Sequence, residues 1–176
     1  MQLKKGLFAI AMLLAANVSA DEAKKKDAPP SLSSEEQDFY WKAAAGGLFE
    51  VEAAKLAIKN ANNPDVKTLA AELLKDHQKA NQDLTAIGEA KGMSTPAHLT
   101  KEQDKSLEKL KGETGASFDK SYVGLMISDH PNDISLFEKQ SEAGKDPQLK
   151  AFAKEQLPML QRHLEHARTV QKKTDK

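Results

Sequence analysis

Two short turns, each pairing a capping side chain with a proline, divide most of this sequence into two pairs of long helical segments. The turns are Asn63-Pro64 and Asp146-Pro147, and each one combines an N-cap residue with proline at the first helical position. Apolar residues repeat at helical spacing on both sides of each turn, and no segment alternates with period two. We therefore predict an all-α fold built from two antiparallel helical hairpins.

Further capping signals give the bounds of the predicted helices. Ser33 with Glu36, or Ser34 with Gln37, forms a capping box before the first helix, and Gly144 is a stop signal after the third. The four long helices are predicted over residues 34–59, 63–88, 117–143 and 146–171.

The connection between the two hairpins is much longer than either turn. It runs from Gly88 to Gly115 and contains a predicted short helix over 101–111, which Thr100 and Gln103 can cap. A connection of this length can travel along a whole bundle, and an ordinary up-and-down bundle does not need it. Two hairpins joined by one long crossover are the connectivity of a ferritin-like four-helix bundle, which is the architecture we predict.

The first twenty residues have the features of a secretory signal peptide. Lys4 and Lys5 precede the apolar run 7–16, and the small residues Val18-Ser19-Ala20 follow it. We expect cleavage after Ala20. The apolar run is too short to span a bilayer. These features predict a protein that is exported to the periplasm.

Composition narrows the classes of partner. Residues 21–33 lack apolar periodicity and contain two prolines, which predicts a disordered leader before a bundle over 34–172. The chain has no cysteine, and its 26 basic and 26 acidic residues are interspersed. This is not the charge pattern of a nucleic-acid-binding domain. We expect no nucleic-acid partner and no membrane span, while a homo-oligomer or an unknown periplasmic partner stays open.

Each long helix places a titratable side chain on its apolar face. At 100° per residue these are Glu50 on the first helix, His77 on the second, His130 on the third and His163 on the fourth. Asp133 lies one turn after His130 on the same face. On the first helix, the face predicted to be buried also contains Tyr40, Ala44, Gly47, Leu48, Val51, Ala54 and Ile58.

Counting from the two turn prolines predicts which of these side chains face each other. Glu50 lies 14 residues before Pro64 and His77 lies 13 after it. His130 lies 17 residues before Pro147 and His163 lies 16 after it. At 1.5 Å per residue, the pairs lie roughly 20 and 25 Å from their turns, near the middle of a bundle about 40 Å long.

A cluster of this composition fits two kinds of chemistry. Imidazole and carboxylate are the usual ligands of zinc, iron and manganese, so Glu50, His77, His130, Asp133 and His163 are candidate ligands of a divalent transition metal. The same groups would also be stable in a core if they only bonded to each other and fixed the packing register. Di-iron bundles use paired Glu-x-x-His motifs, and this sequence has none.

Three functions remain after these observations. The first is an exported, non-enzymatic binding or stress-related bundle, with or without a metal. The second is a ferritin-like metal-dependent oxidase or peroxidase, which the missing Glu-x-x-His pairs disfavour. The third is a structural or partner-binding bundle with an architectural histidine network. We favour the first and identify no catalytic residue.

Four stretches of the sequence also resemble a known family. AAGGLFEVEAAKLA, LLKDHQKAN, SDHPNDISLFEKQ and LPMLQRHLEHA are similar to motifs of the domain-of-unknown-function 4142 family, whose members are exported bacterial ferritin-like proteins. The resemblance covers about residues 34–172 and implies a fold and a compartment, but no activity. The residues that lie where the family's pattern has Glu or His are Glu50, Asp76, His77, Asp129, His130 and His163.

Overall fold

The computed structural model describes residues 32–174. The predicted signal peptide, residues 1–20, and residues 21–31 of the predicted leader lie outside the described residues. Within 32–174 every regular element is a helix, so the all-α prediction is confirmed. The helices are α1 (Ser34–Asn60), α2 (Pro64–Glu89), α3 (Lys101–Lys111), α4 (Gly115–Ala143) and α5 (Pro147–Thr174). None of them is both long enough and apolar enough to cross a membrane.

The predicted caps explain where the helices begin. Ser33 Oγ accepts from the backbone N–H of Glu36, whose carboxylate accepts in return from the N–H of Ser33. Asn63 Oδ1 accepts from the N–H of Asp65 at 2.8 Å, and Asp146 caps α5 in the same way. These bonds satisfy N–H groups that a helix start leaves without partners. α4 begins at Gly115 rather than at the predicted position 117.

Each hairpin turn is bonded to the other hairpin by one buried carboxylate. Asp119 at the start of α4 accepts from the N–H groups of Asn62 and Asn63, in the α1–α2 turn, at 3.0 and 2.8 Å. Glu36 at the start of α1 accepts from the N–H of Lys145, in the α4–α5 turn, at 2.8 Å. Helices α1 and α4 therefore run in opposite directions.

Ion pairs at both ends of α2 and α5 give the direction of the second helix pair. Lys91, just after α2, pairs with Asp146, just before α5, at 2.6 Å. At the other end, Asp65 pairs with Lys173 at 3.0 Å. α2 and α5 are thus antiparallel, and α2 and α4 run in the same direction. The crossover that contains α3 must therefore return along the bundle.

The core of the helical bundle consists of two apolar clusters with a polar layer between them. One cluster includes Phe49, Leu69, Phe118, Tyr122 and Met126, and the other includes Phe39, Tyr40, Leu84, Phe137 and Phe152. Leu32, just before α1, packs into the second cluster. Glu50, His77, His130 and His163 are buried but belong to neither cluster.

The predicted buried face of α1 is wrong at one edge. Ile58 is 37% exposed, and Leu48 is only partly buried. Phe49 and Ala53 are buried in their place. Phe49 packs into the apolar cluster with Leu69 and Phe118, so the buried face of α1 is turned toward Phe49 and away from Ile58.

Candidate metal centre

Four helices each bring one titratable side chain to the middle of the bundle. Glu50 comes from α1, His77 from α2, His130 from α4 and His163 from α5, and all four are at most 4% exposed. Their helices are held in register by the caps and turn contacts at both ends. The structure therefore brings together four of the five residues that the sequence singled out.

The three imidazoles surround a common point. The ring centroids of His77 and His163 are 5.2 Å apart, those of His130 and His163 5.6 Å, and those of His77 and His130 6.0 Å. One ring nitrogen from each histidine lies within 4.8 Å of the other two. Glu50 borders this group, because its Oε2 lies 2.9 Å from His77 Nε2 and its Oε1 lies 3.4 Å from His130 Nδ1.

Hydrogen bonds fix the tautomers of two of the histidines. His130 Nδ1 lies 2.9 Å from the carbonyl oxygen of Met126. Since a carbonyl only accepts, Nδ1 carries the proton and Nε2 of the neutral ring has a free lone pair. His163 Nε2 lies 3.0 Å from Asp76 Oδ2, and an ionised carboxylate likewise only accepts. His163 Nδ1 is therefore the bare nitrogen.

Four buried polar atoms in this cluster lack a hydrogen-bond partner among residues 32–174. They are Glu50 Oε1, His77 Nε2, His130 Nε2 and His163 Nδ1. His77 Nε2 is close to Glu50, but the carboxylate does not lie along the direction that a ring N–H would need. Each unsatisfied buried polar group costs about 1–3 kcal/mol. A purely internal network therefore leaves unsatisfied one ring nitrogen on each of the three histidines that are close enough to hold one cation.

Burial keeps the histidines in the form that binds metals. Desolvation lowers the pKa of His77 to about 4. Desolvation, together with the neighbouring His77, lowers the pKa of His163 to about 4 as well. The pKa of His130 is also lowered by burial. All three rings are consequently neutral at pH 7, as metal ligation requires.

The carboxylates respond in the opposite direction. Burial raises the pKa of Glu50 to about 7. For Asp133, burial and then the charges of Glu50 and Asp129 raise the pKa to about 8. Both carboxyl groups of the metal-free protein are therefore partly protonated at neutral pH. A divalent ion would favour the ionised form of these carboxylates.

Asp133 lies beside the histidine cluster rather than among its fully buried members. It is only partly exposed to solvent, one turn after His130 on α4. With Glu50 and His77 it lines a small cavity of about 20 Å³. A cavity of this size has room for one water molecule, and these three side chains are polar groups in a lining that is mostly apolar.

A second group of charged side chains supports the cluster from the α2–α5 face. Arg162 donates to Glu72 at 3.1 Å and to Asp76 at 2.7 Å, and His166 Nδ1 lies 2.7 Å from Glu72. Burial alone would raise the pKa of Asp76, but the hydrogen bonds from His163 and Arg162 hold this pKa below its usual value. Asp76 therefore stays ionised and orients His163.

Sequence reasoning did not assign this supporting layer. A usable signal was present, because Glu72 and Asp76 are four residues apart on one helix, and Arg162 and His166 are four apart on its partner. Glu72, Asp76 and His163 are close enough to hold an ion, but Arg162 already bonds to both carboxylates and offsets half of their charge. This group is therefore a weaker cation site than the three histidines.

The chain belongs to the family described as Domain of unknown function (DUF4142), whose sequence profile matches residues 21–170. The family expected from the sequence motifs is thereby confirmed. No curated protein has a sequence that matches this chain.

Two solved structures have a similar fold at low sequence identity. A DUF305 fragment from Deinococcus radiodurans is 12% identical with a TM-score of 0.72, over 82% of this chain and 99% of that one. The "putative secreted protein DUF305" from Streptomyces coelicolor is also 12% identical, with a TM-score of 0.70, over 81% and 96% of the two chains. At this identity the likeness concerns the fold alone.

Proposed function

We propose that this protein is an exported, ferritin-like four-helix bundle that binds one divalent transition metal ion and has no catalytic activity of its own. The observation that carries the proposal is the convergence of three buried imidazoles with unpartnered nitrogens at one point. Histidine ligands in metalloproteins are usually neutral imidazoles whose other ring nitrogen donates a hydrogen bond to a carboxylate or a carbonyl group.

The proposed ligands follow from the free lone pairs. His130 contributes Nε2 and His163 contributes Nδ1, because Met126 and Asp76 occupy their other nitrogens. His77 contributes Nε2, and Glu50 completes the set with its carboxylate. Asp133 balances charge from the edge of the cavity. Three imidazoles and a carboxylate suit zinc, and also iron or manganese.

Binding is favoured over an oxidase or peroxidase activity by the composition of the cluster. A di-iron bundle centre is built from several carboxylates and two Glu-x-x-His pairs, whereas this cluster has three histidines and one buried glutamate. Four protein ligands also leave little room for a substrate. A purely architectural network is disfavoured because it leaves the four central atoms unsatisfied.

Two further observations support the fold and compartment in this proposal. The crossover that contains α3 joins α2 to α4, which run in the same direction. Two hairpins joined in this way by one long connection are the connectivity of ferritin-like bundles. Export is supported by the signal-peptide features of residues 1–20. It is also supported by a fold neighbour that carries the description "putative secreted protein".

Metal titration of the chelator-treated protein tests the proposal. We expect calorimetry with Zn²⁺ to give one site per chain, and thermal unfolding to shift upward with the metal. His77→Ala should remove both effects. The matched control is His166→Ala, which should keep the site. His166 is one turn from His163, and its hydrogen-bond partner among residues 32–174 is Glu72. Equal destabilisation by His77→Ala with and without chelator would instead support an architectural network.

A further inference from the structure

An open groove lies on the bundle face formed by α1, α3 and α4. Its volume is about 280 Å³, and its walls include Gly46, Glu102, Asp129 and Asp133, with Glu50 at its inner end. None of the side chains that line it is basic. The groove therefore presents a concentration of carboxylates to the solvent.

Two residues connect this groove with the interior. Glu50 and Asp133 line both the groove and the small cavity that contains His77. Glu50 is 2% exposed, and its Oε1 atom has no hydrogen-bond partner among the described residues. A buried, unpartnered carboxylate oxygen thus separates the acidic surface from the histidine cluster.

The opposite face of the cluster has a positive side chain among its carboxylates. On the α2–α5 side, Arg162 is bonded to both Glu72 and Asp76. The guanidinium offsets half of their negative charge, so this face attracts a cation less strongly than two free carboxylates would. Clefts lined by one sign of charge raise the local concentration of the opposite ion and its association rate.

We propose that the acidic groove between α1, α3 and α4 is the entrance through which a divalent cation reaches the three histidines. Glu102 and Asp129 collect the ion at the surface, and Asp133 and Glu50 pass it inward. This inference rests on the proposed metal-binding function. The crossover helix forms one wall, and Gln103 Nε2 fastens it to α1 by donating to the carbonyl oxygen of Ala45 at 3.1 Å.

Association kinetics with Co²⁺, whose absorption reports ligation directly, test the entrance. In stopped-flow mixing, the double variant Glu102→Gln, Asp129→Asn should bind Co²⁺ at least about tenfold more slowly than the wild type at low salt. Its stoichiometry should be unchanged because neither residue is a proposed ligand. The control is Asp104→Asn, which removes one exposed carboxylate from the same helix outside the groove and should keep the wild-type rate.

A second variant tests the route without changing charge. Gly46 lies in the groove wall, and a Cβ there would make only an ordinary contact of 3.6 Å with Asp133 Oδ1. Gly46→Leu extends a larger side chain from this position, so it should narrow the groove and slow both binding and release of Co²⁺. Wild-type rates in both the double variant and Gly46→Leu would overturn the entrance. A wild-type protein that binds neither Zn²⁺ nor Co²⁺ would instead overturn the metal site itself.

Discussion

The carboxylate of Glu50 lies 2.9 Å from Nε2 of His77, across the α1–α2 hairpin, with both side chains buried. Burial raises the pKa of Glu50 to about 7, so the folded protein ionises this group at an energetic cost. The buried, ionised Glu50 carboxylate therefore opposes stability in the metal-free state, while it would provide a charged ligand in the metal-bound state.

Glu50→Gln should separate these two effects. At pH 8 we expect the metal-free variant to have a free energy of unfolding equal to or above that of the wild type, because a buried charge is removed. Its Zn²⁺ affinity should fall about tenfold or more. Urea unfolding and calorimetry measure the two quantities. Glu52→Gln, which alters a partly exposed carboxylate paired with Lys55, should change neither by much.

Asp76→Asn should weaken metal binding without removing a proposed ligand. The amide can present its N–H₂ to His163 Nε2, which would place the ring proton on Nδ1, the nitrogen proposed to bind the metal. Changes of this kind in the residues behind histidine ligands typically cost about 10- to 100-fold in metal affinity.

The control for this change lies one turn away on α2. Glu72 bonds to Arg162 and His166 but to none of the three central histidines in the described contacts. Glu72→Gln should therefore lower Zn²⁺ affinity much less than Asp76→Asn. If calorimetry gives both variants the same affinity, a general loss of negative charge, and not ring orientation, is the cause.

The central cluster could be predicted from sequence because hairpin geometry is simple. Short turns make the helices antiparallel, so counting from Pro64 and Pro147 correctly paired Glu50 with His77 and His130 with His163. The contribution of Asp76 could not be obtained in this way. It lies on the flank of α2, where a carboxylate that orients a buried ring has the same sequence pattern as a solvated one.

The position of the crossover was also beyond the sequence pattern. The capping signal of Thr100 and Gln103 predicts where α3 begins, but not which pair of long helices it covers. The contact between Gln103 and Ala45, which creates the wall of the acidic groove, depends on the three-dimensional path of residues 90–114. The predicted burial of Ile58 was wrong for a related reason. Periodicity gives the angular position of a residue but not how closely a neighbouring helix approaches.

The metal-free protein should lose stability as the pH rises from about 6.5 to 8. Glu50 and Asp133 have folded-state pKa values of about 7 and 8, above their ordinary values of 4.5 and 3.8. In this window the folded state holds protons that the unfolded state has released, so the free energy of unfolding falls with pH by up to about 1.4 kcal/mol per unit for each group. Urea unfolding at several pH values measures this slope.

Variants and metal identify the groups responsible for the slope. The double variant Glu50→Gln, Asp133→Asn should flatten it, because the titrating carboxylates are gone. Saturating Zn²⁺ should reverse the slope in the wild type, since metal binding favours the deprotonated ligands.

Below pH 6.5 the histidines change the free energy of unfolding in the opposite direction. Their pKa values are lower in the folded state, so the unfolded state binds more protons. The stability that the neutral histidines contribute above pH 6.5 is therefore lost as the pH falls toward 4.

Two glycines in the bundle should respond oppositely to alanine. A Cβ at Gly88 would overlap the ring of Tyr40, which is fully buried and bonded through its hydroxyl to Thr95 at 2.9 Å. The ring cannot move without disturbing the apolar cluster around it, so Gly88→Ala should lower the free energy of unfolding by about 1–3 kcal/mol.

At Gly46 the same Cβ meets only Asp133 Oδ1 at 3.6 Å. Gly46→Ala should raise the free energy of unfolding by about 0.5–1 kcal/mol, because alanine loses less backbone entropy in a helix. Urea unfolding of both variants measures the difference, and a stable Gly88→Ala protein would show that α2 does not pack against Tyr40 as closely as described.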